Sequence, residues 1–213
     1  MTQPGSATGE RAPRAPRRDR RAGRVALLMI DLINDFSFPG GKDLHDRALG
    51  TLDAIRNLRD AVEAAGGVVI YVNDNFGEWH SDQSRLVEGA IAKGSVVARE
   101  LRPRAEDYFI IKPQFSGFYA TNLQVLLPKL GANRLILAGT ATDICVLFTA
   151  ADAHMRDYDL WVPSDACVAE ADDRHRWALE IMAQSMGAET KPTSRLGVSE
   201  WLDRLSASSE GAC

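Results

Sequence analysis

The chain has 213 residues, 45% of them hydrophobic and 25% charged, with 29 acidic against 25 basic side chains and a net charge of −4. That length suits one domain with a core large enough to need no covalent staples. Its three cysteines form no C-x-x-C pair, which argues against a disulfide framework or a thiolate zinc site and makes a reducing, cytoplasmic setting the expectation. No apolar run reaches the ~18 to 20 residues of a membrane helix, and the acidic body disfavours nucleic acid, so neither is expected as a partner.

Residues 1–23 are rich in Pro, Gly, Ala and Arg and lack apolar periodicity, and they read as a disordered leader. From Arg24 apolar runs of strand length alternate with segments of helical period, as in a parallel sheet covered by helices. Residues 25–30 form the first predicted strand. Leu49, Leu52, Ile55, Leu58 and Val62 mark one helical stripe ended by Gly66 and Gly67. Residues 68–72 are the second strand, followed by a polar loop with a weak helical pattern from Leu86 to Ile91.

Residues 108–111 are the third strand, and Leu123, Leu126, Leu127 and Leu130 continue as a helix despite Pro128. Residues 134–138 are the fourth strand. Ile144, Leu147, Phe148, Ala151 and Met155 then mark a helix face. Residues 159–163 give a fifth strand, 172–186 a helix, 187–191 a possible last strand, and 199–205 a terminal helix. The domain is expected over 24–205, with a flexible tail at 206–213. The fold class is α/β: a three-layer α/β/α sandwich on a mostly parallel, doubly wound sheet.

In such sheets ligands bind beyond the carboxyl ends of the strands. The residues there are Asp31, Asn73 with Asp74, Lys112, the segment from Gly139 to Cys145, and Ser164 with Asp165. A cysteine about one turn past a strand, beside a helix N-terminus and a lysine, is expected to be favoured as thiolate. Cys145, Lys112 and Asp31 thus offer a nucleophile, a cationic orienter and a general acid/base without any histidine. Taken singly, each has a plain structural reading: Cys145 as a small buried hydrophobe, Asp31 as a turn former, Lys112 as a solvated strand end.

Three motifs carry a resemblance: Asp31-Leu32-Ile33-Asn34-Asp35-Phe36, Lys112-Pro113-Gln114-Phe115-Ser116-Gly117-Phe118 with Thr121 and Leu123, and Gly139-Thr140-Ala141-Thr142-Asp143-Ile144-Cys145-Val146 with Thr149-Ala150. In this order on the predicted strands they resemble the isochorismatase-like cysteine hydrolases over about residues 24–200. The resemblance implies a catalytic triad of Asp31, Lys112 and Cys145. It also implies a cis peptide bond between Thr140 and Ala141, and an oxyanion hole made by the NH groups of Ala141 and Cys145.

The implied reaction is thiolate attack on a small amide or ureide, with a homodimer or homotetramer as the assembly and no cofactor. Cys145 sets the chain apart from isochorismatases proper, which cleave a vinyl ether and lack the nucleophilic cysteine. The metal-holding Asp-x-His of nicotinamidases is missing from the stretch Asn73-Asp74-Asn75-Phe76-Gly77-Glu78-Trp79-His80, so no metal is expected and nicotinamidase activity is disfavoured.

Asn75 is a candidate substrate hydrogen-bonder, and Phe36, Trp79 and Phe118 are candidate pocket walls, with ordinary packing as the alternative. Cys167 is expected in the core and Cys213 in the tail. His45, His154 and His175 are expected to be solvated, and Trp161, Trp177 and Trp201 to pack, against the domain or a second subunit. A nucleotide-binding domain would need a Gly-rich turn after a strand, and none is present. A non-catalytic assembly role and hydrolysis of another bond, a vinyl ether or a thioester, stay open as alternatives.

Overall fold

The computed structural model describes residues 13–16, 19 and 23–210. Most of the leader for which disorder is expected, and Cys213 in the tail, lie outside the described residues. Within the leader, Ala15 packs against the body and the Arg14 carbonyl accepts a hydrogen bond from the Tyr108 hydroxyl.

The elements run β1 (Arg24–Ile30), α1 (Gly41–Leu49), α2 (Leu52–Ala64), β2 (Val68–Asp74), α3 (Gln83–Ala92), α4 (Val96–Glu100), β3 (Tyr108–Lys112), α5 (Leu123–Leu130) and β4 (Ala132–Thr140). A one-turn π-helix (Thr142–Val146) follows, then α6 (Leu147–His154), β5 (Asp159–Trp161), β6 (Cys167–Val168), α7 (Asp172–Met186) and α8 (Val198–Glu210). All strand pairs are parallel, in the order β3-β2-β1-β4-β5, with β6 pairing the end of β4.

β1 is central and apolar throughout because both of its faces are covered. Val25, Leu27 and Met29 pack with α1, α2, α3, α4 and α8 on one side. Ala26, Leu28 and Ile30 pack with α5, α6 and α7 on the other. Strand order reverses between β1 and β4, whose neighbouring carboxyl ends make the switch point where ligands are received.

Several boundaries differ from the sequence reading. The stripe from Leu49 to Val62 is two helices, broken where the Gly50 and Thr51 NH groups close a turn on Arg47 and Ala48. α4 and β6 are additional elements, too short to show a period. Residues 187–191 contribute a single bridge, Glu189 to Trp161. The first five residues of the expected tail belong to α8. Pro128 sits in the last turn of α5, which Gly131 closes at φ 71°.

Candidate active site

Each candidate triad residue is placed by a strand end. Asp31 follows β1 directly, with its backbone in the left-handed region (φ 51°). Its NH donates to the Val72 carbonyl (3.1 Å), and its own carbonyl accepts from Thr140 Oγ1 (3.1 Å). The loop beyond is clipped to β2 by Asn73, whose amide accepts from the Ile33 NH and donates to the Ile33 carbonyl, both at 3.0 Å. Lys112 ends β3 and is fully buried.

Cys145 lies in the π-turn after β4, where the Val146 NH reaches back five residues to the Ala141 carbonyl (3.2 Å). The preceding Thr140–Ala141 peptide bond is cis. α7 holds this turn from outside: Thr142 Oγ1 lies 2.8 Å from His175 Nδ1, and Arg174 pairs with Asp143 at 2.5 Å.

The three groups meet. Lys112 Nζ stands 2.8 Å from Asp31 Oδ2 and 3.4 Å from Cys145 Sγ. A third acid joins them, because Asp74 Oδ2 lies 3.3 Å from the same ammonium and the Asp74 NH donates to Asp31 Oδ1 at 2.6 Å. Burial is the largest influence on all three titrating groups of the triad. It raises the Asp31 carboxyl, against the pull of Lys112. It works to lower Lys112, but Asp31, Cys145 and Asp74 outweigh it and hold the ammonium above its usual value.

Burial and then Asp31 push the Cys145 thiol well up, with Lys112 offsetting only part of the rise. Burial and Asp31 thus work against the thiolate that the helix terminus and the lysine favour. Asp31 is the base within reach of the thiol proton.

The candidate substrate contacts are placed differently from one another. Phe118 is buried against Tyr158 (5.9 Å between rings) with the Arg156 guanidinium over its face (4.9 Å). Phe36 is likewise buried, edge-on to His45 (5.1 Å). Asn75 is buried, with its oxygen accepting from the Gly77 NH (3.0 Å). Trp79 is 78% exposed.

An open cleft of about 390 Å³ is lined by Ile33, Asn34, Phe38, Phe76, Arg85 and Lys93 among others. Ile33 is two residues past Asp31 and Phe76 two past Asp74, although no triad side chain lines the cleft. Lys93 is paired with Asp35 at 2.5 Å, whereas Arg85 meets Glu78 only at 3.8 Å. The sequence pattern did not single out Arg85, because the polar loop before α3 gave no period to orient it.

Among the described residues no group of three or more His, Cys, Asp and Glu side chains is set to hold a metal. Asp74 is taken up by Lys112 and the Phe76 NH (2.8 Å), and His80 is exposed. His175 is not solvated as expected but half-buried against Thr142, and burial lowers its pKa. His45 packs on Phe36, while His154 is exposed. Cys167 is in the core, its thiol pushed up to about 12 by burial. Trp161 and Trp201 pack on each other (5.8 Å), and Trp177 is 52% exposed.

Known proteins resemble this chain over most of its length. A family model described as Isochorismatase domain matches residues 25–192. An uncharacterised isochorismatase family protein of Bacillus subtilis is 35% identical over 77% of this chain and 91% of its own. A ureidoacrylate amidohydrolase of Agrobacterium fabrum is 29% identical over 63% of this chain and 71% of its own. The crystal structure of an N-carbamoylsarcosine amidase from Thermoplasma acidophilum superposes with a TM-score of 0.63 at 31% identity, covering 80% of this chain and 96% of that one. The chain belongs to the isochorismatase family of hydrolases.

Proposed function

We propose that this hydrolase cleaves the C–N bond of a small amide or ureide through a thioester on Cys145. The observation that carries the reading is the contact of Lys112 Nζ with both Asp31 Oδ2 (2.8 Å) and Cys145 Sγ (3.4 Å). The names of relatives, a ureidoacrylate amidohydrolase and an N-carbamoylsarcosine amidase, support it.

As the substrate carbonyl approaches, the Cys145 proton passes to Asp31. The sulfur bonds to carbon, and the carbonyl electron pair moves onto oxygen, held by the NH groups of Ala141 and Cys145. Each such donor is worth on the order of 3 kcal/mol. The C–N bond then breaks as Asp31 returns its proton to the leaving nitrogen. Water, deprotonated by the same carboxylate, cleaves the thioester and frees the acid. Lys112 stays protonated throughout.

Both relatives' names denote a ureido or carbamoyl group joined to a carboxylate. Arg85, loosely paired in the cleft that Ile33 and Phe76 also line, is our choice to meet such a carboxylate. The setting proposed is cytoplasmic, and the assembly a homodimer or homotetramer. Among the described residues no helix is long and apolar enough to cross a membrane.

The test is ammonia release from a panel of small amides and ureides, with intact mass used to catch an acyl group on Cys145. Release that survives Cys145→Ala overturns the mechanism.

A further inference from the structure

The mechanism leaves one charge unaccounted for. When the thiol proton has moved to Asp31, Lys112 loses the carboxylate that pairs with it at 2.8 Å. When the sulfur then bonds to carbon, the thiolate charge moves away to the oxyanion. A fully buried ammonium stripped of both neighbours would face a large desolvation penalty and would tend to give up its proton or its position.

Among the described residues, the charged and titratable groups seen against Lys112 are Asp31 from the end of β1, Cys145 from the π-turn and Asp74 from the end of β2. Only Asp74 takes no part in the proton and sulfur transfers. Its side chain is 27% exposed, against 7% for Asp31, so its carboxylate keeps contact with water.

It is also fixed in place. Asp74 Oδ1 accepts the Phe76 NH at 2.8 Å, Oδ2 faces Lys112 at 3.3 Å, and its backbone NH holds Asp31 Oδ1 at 2.6 Å. That last bond ties one Asp31 oxygen to the backbone and leaves Oδ2 for the lysine.

We propose that Asp74 is a positioning residue that keeps Lys112 charged and in place during the interval when Asp31 carries the thiol proton. It acts through Lys112 and touches neither the reacting carbonyl nor the leaving group. The inference rests on Cys145 being the nucleophile, but its test needs no substrate.

Asp31→Asn imitates the protonated Asp31. In that variant the rate of Cys145 alkylation by iodoacetamide is followed against pH, with the modified peptide identified by mass so that Cys167 and Cys213 do not interfere. The midpoint reports ionisation of the thiol beside Lys112. Adding Asp74→Asn should raise this midpoint by about one unit or more, a roughly tenfold slower alkylation below it, because the lysine charge that favours thiolate is lost.

Direct electrostatics predicts the opposite sign, since removing a nearby anion by itself makes a thiol more acidic. A midpoint that falls or stays put therefore overturns the proposal. Asp74→Glu in the same background keeps the anion and should hold the midpoint within half a unit of Asp31→Asn, and a rise matching that of Asp74→Asn would also overturn it. If circular dichroism shows the Asp31→Asn/Asp74→Asn protein unfolded, Asp74→Ser takes its place with the same expected rise. Failure of the substrate panel would leave these outcomes unaffected.

Discussion

Burial and then the Asp31 carboxylate push the Cys145 thiol up, against the pull of the ammonium beside it. The consequence for stability has a definite sign. Below about pH 8.5 the thiol is protonated whether the chain is folded or not. Above that, the unfolded chain releases the proton and the folded chain does not. The unfolded state then binds fewer protons, and stability falls as pH rises. For each such thiol the loss approaches about 1.4 kcal/mol per pH unit as the unfolded thiol becomes fully ionised, and Cys167, pushed up to about 12 by burial, adds an equal share. Urea midpoints between about pH 8.5 and 9.5 should therefore decline about half as steeply for Cys145→Ser as for the parent. An unchanged slope would mean that the sulfur is already ionised in the fold. On activity, Cys145→Ala should lower ammonia release by ~1000-fold or more while leaving the circular dichroism spectrum intact. The positions of Asp31, Lys112 and Cys145 were legible in the sequence because each follows a predicted strand at its carboxyl end. The state of the sulfur was not, since it depends on depth and on an acid 114 positions away in the chain. The role of Phe118 was equally illegible: aromatic type says nothing about which side of a loop the ring takes, and here it takes the side of Tyr158 and Arg156.

The strands that deliver these residues come close together at one glycine. Gly139 has φ 135°, and a Cβ there would fall 2.0 Å from the Ile30 carbonyl oxygen, a backbone atom that cannot yield without parting β1 from β4. Gly139→Ala is expected to cost about 3 kcal/mol or more, read as a lower urea midpoint, and to remove activity by separating Asp31 from Cys145. The strands themselves were readable as apolar runs: β1 ends where its run does, β2, β3 and β4 go on one or two residues further because pairing with a neighbour outlasts the apolar pattern, and β5 stops two residues short of its reading. The π-turn was not readable. Ile144, Leu147, Phe148, Ala151 and Met155 fit one helix face, but Phe148 and Met155 point outwards, at 50% and 71% exposure. The extra residue of the π-turn rotates the face that follows. At α3, the loosely paired Arg85 offers a direct measurement: Arg85→Gln should raise KM for a carboxylate-bearing ureide by ~10-fold with little change in kcat. An equal loss on an uncharged amide would point instead to a general disturbance of the cleft.

At the scale of the whole molecule, layering and strand order put all the chemistry on one edge of the sheet and leave the outer helix faces to meet the surroundings. Most of these faces are polar, as the period of the sequence requires. One is not. α6 and α7 pack against each other, and they expose Phe148 and Met155 from the first helix and Trp177 and Ile181 from the second, with Phe115 touching Phe148 at 5.6 Å. Scattered single apolar residues need no partner, but large ones exposed on two adjacent helices lead us to expect self-association through this face. A second copy of the chain placed across a two-fold axis would cover α6 and α7 with the same residues from its own surface, since such an interface complements itself. Sedimentation equilibrium should accordingly give a mass of two or four chains. Phe148→Glu with Trp177→Glu should shift that mass towards one chain, because a carboxylate desolvated in such an interface has no cation to meet it. A parent protein that sediments as a single chain would show instead that this face stays in water and that the exposed aromatic rings serve something other than self-association.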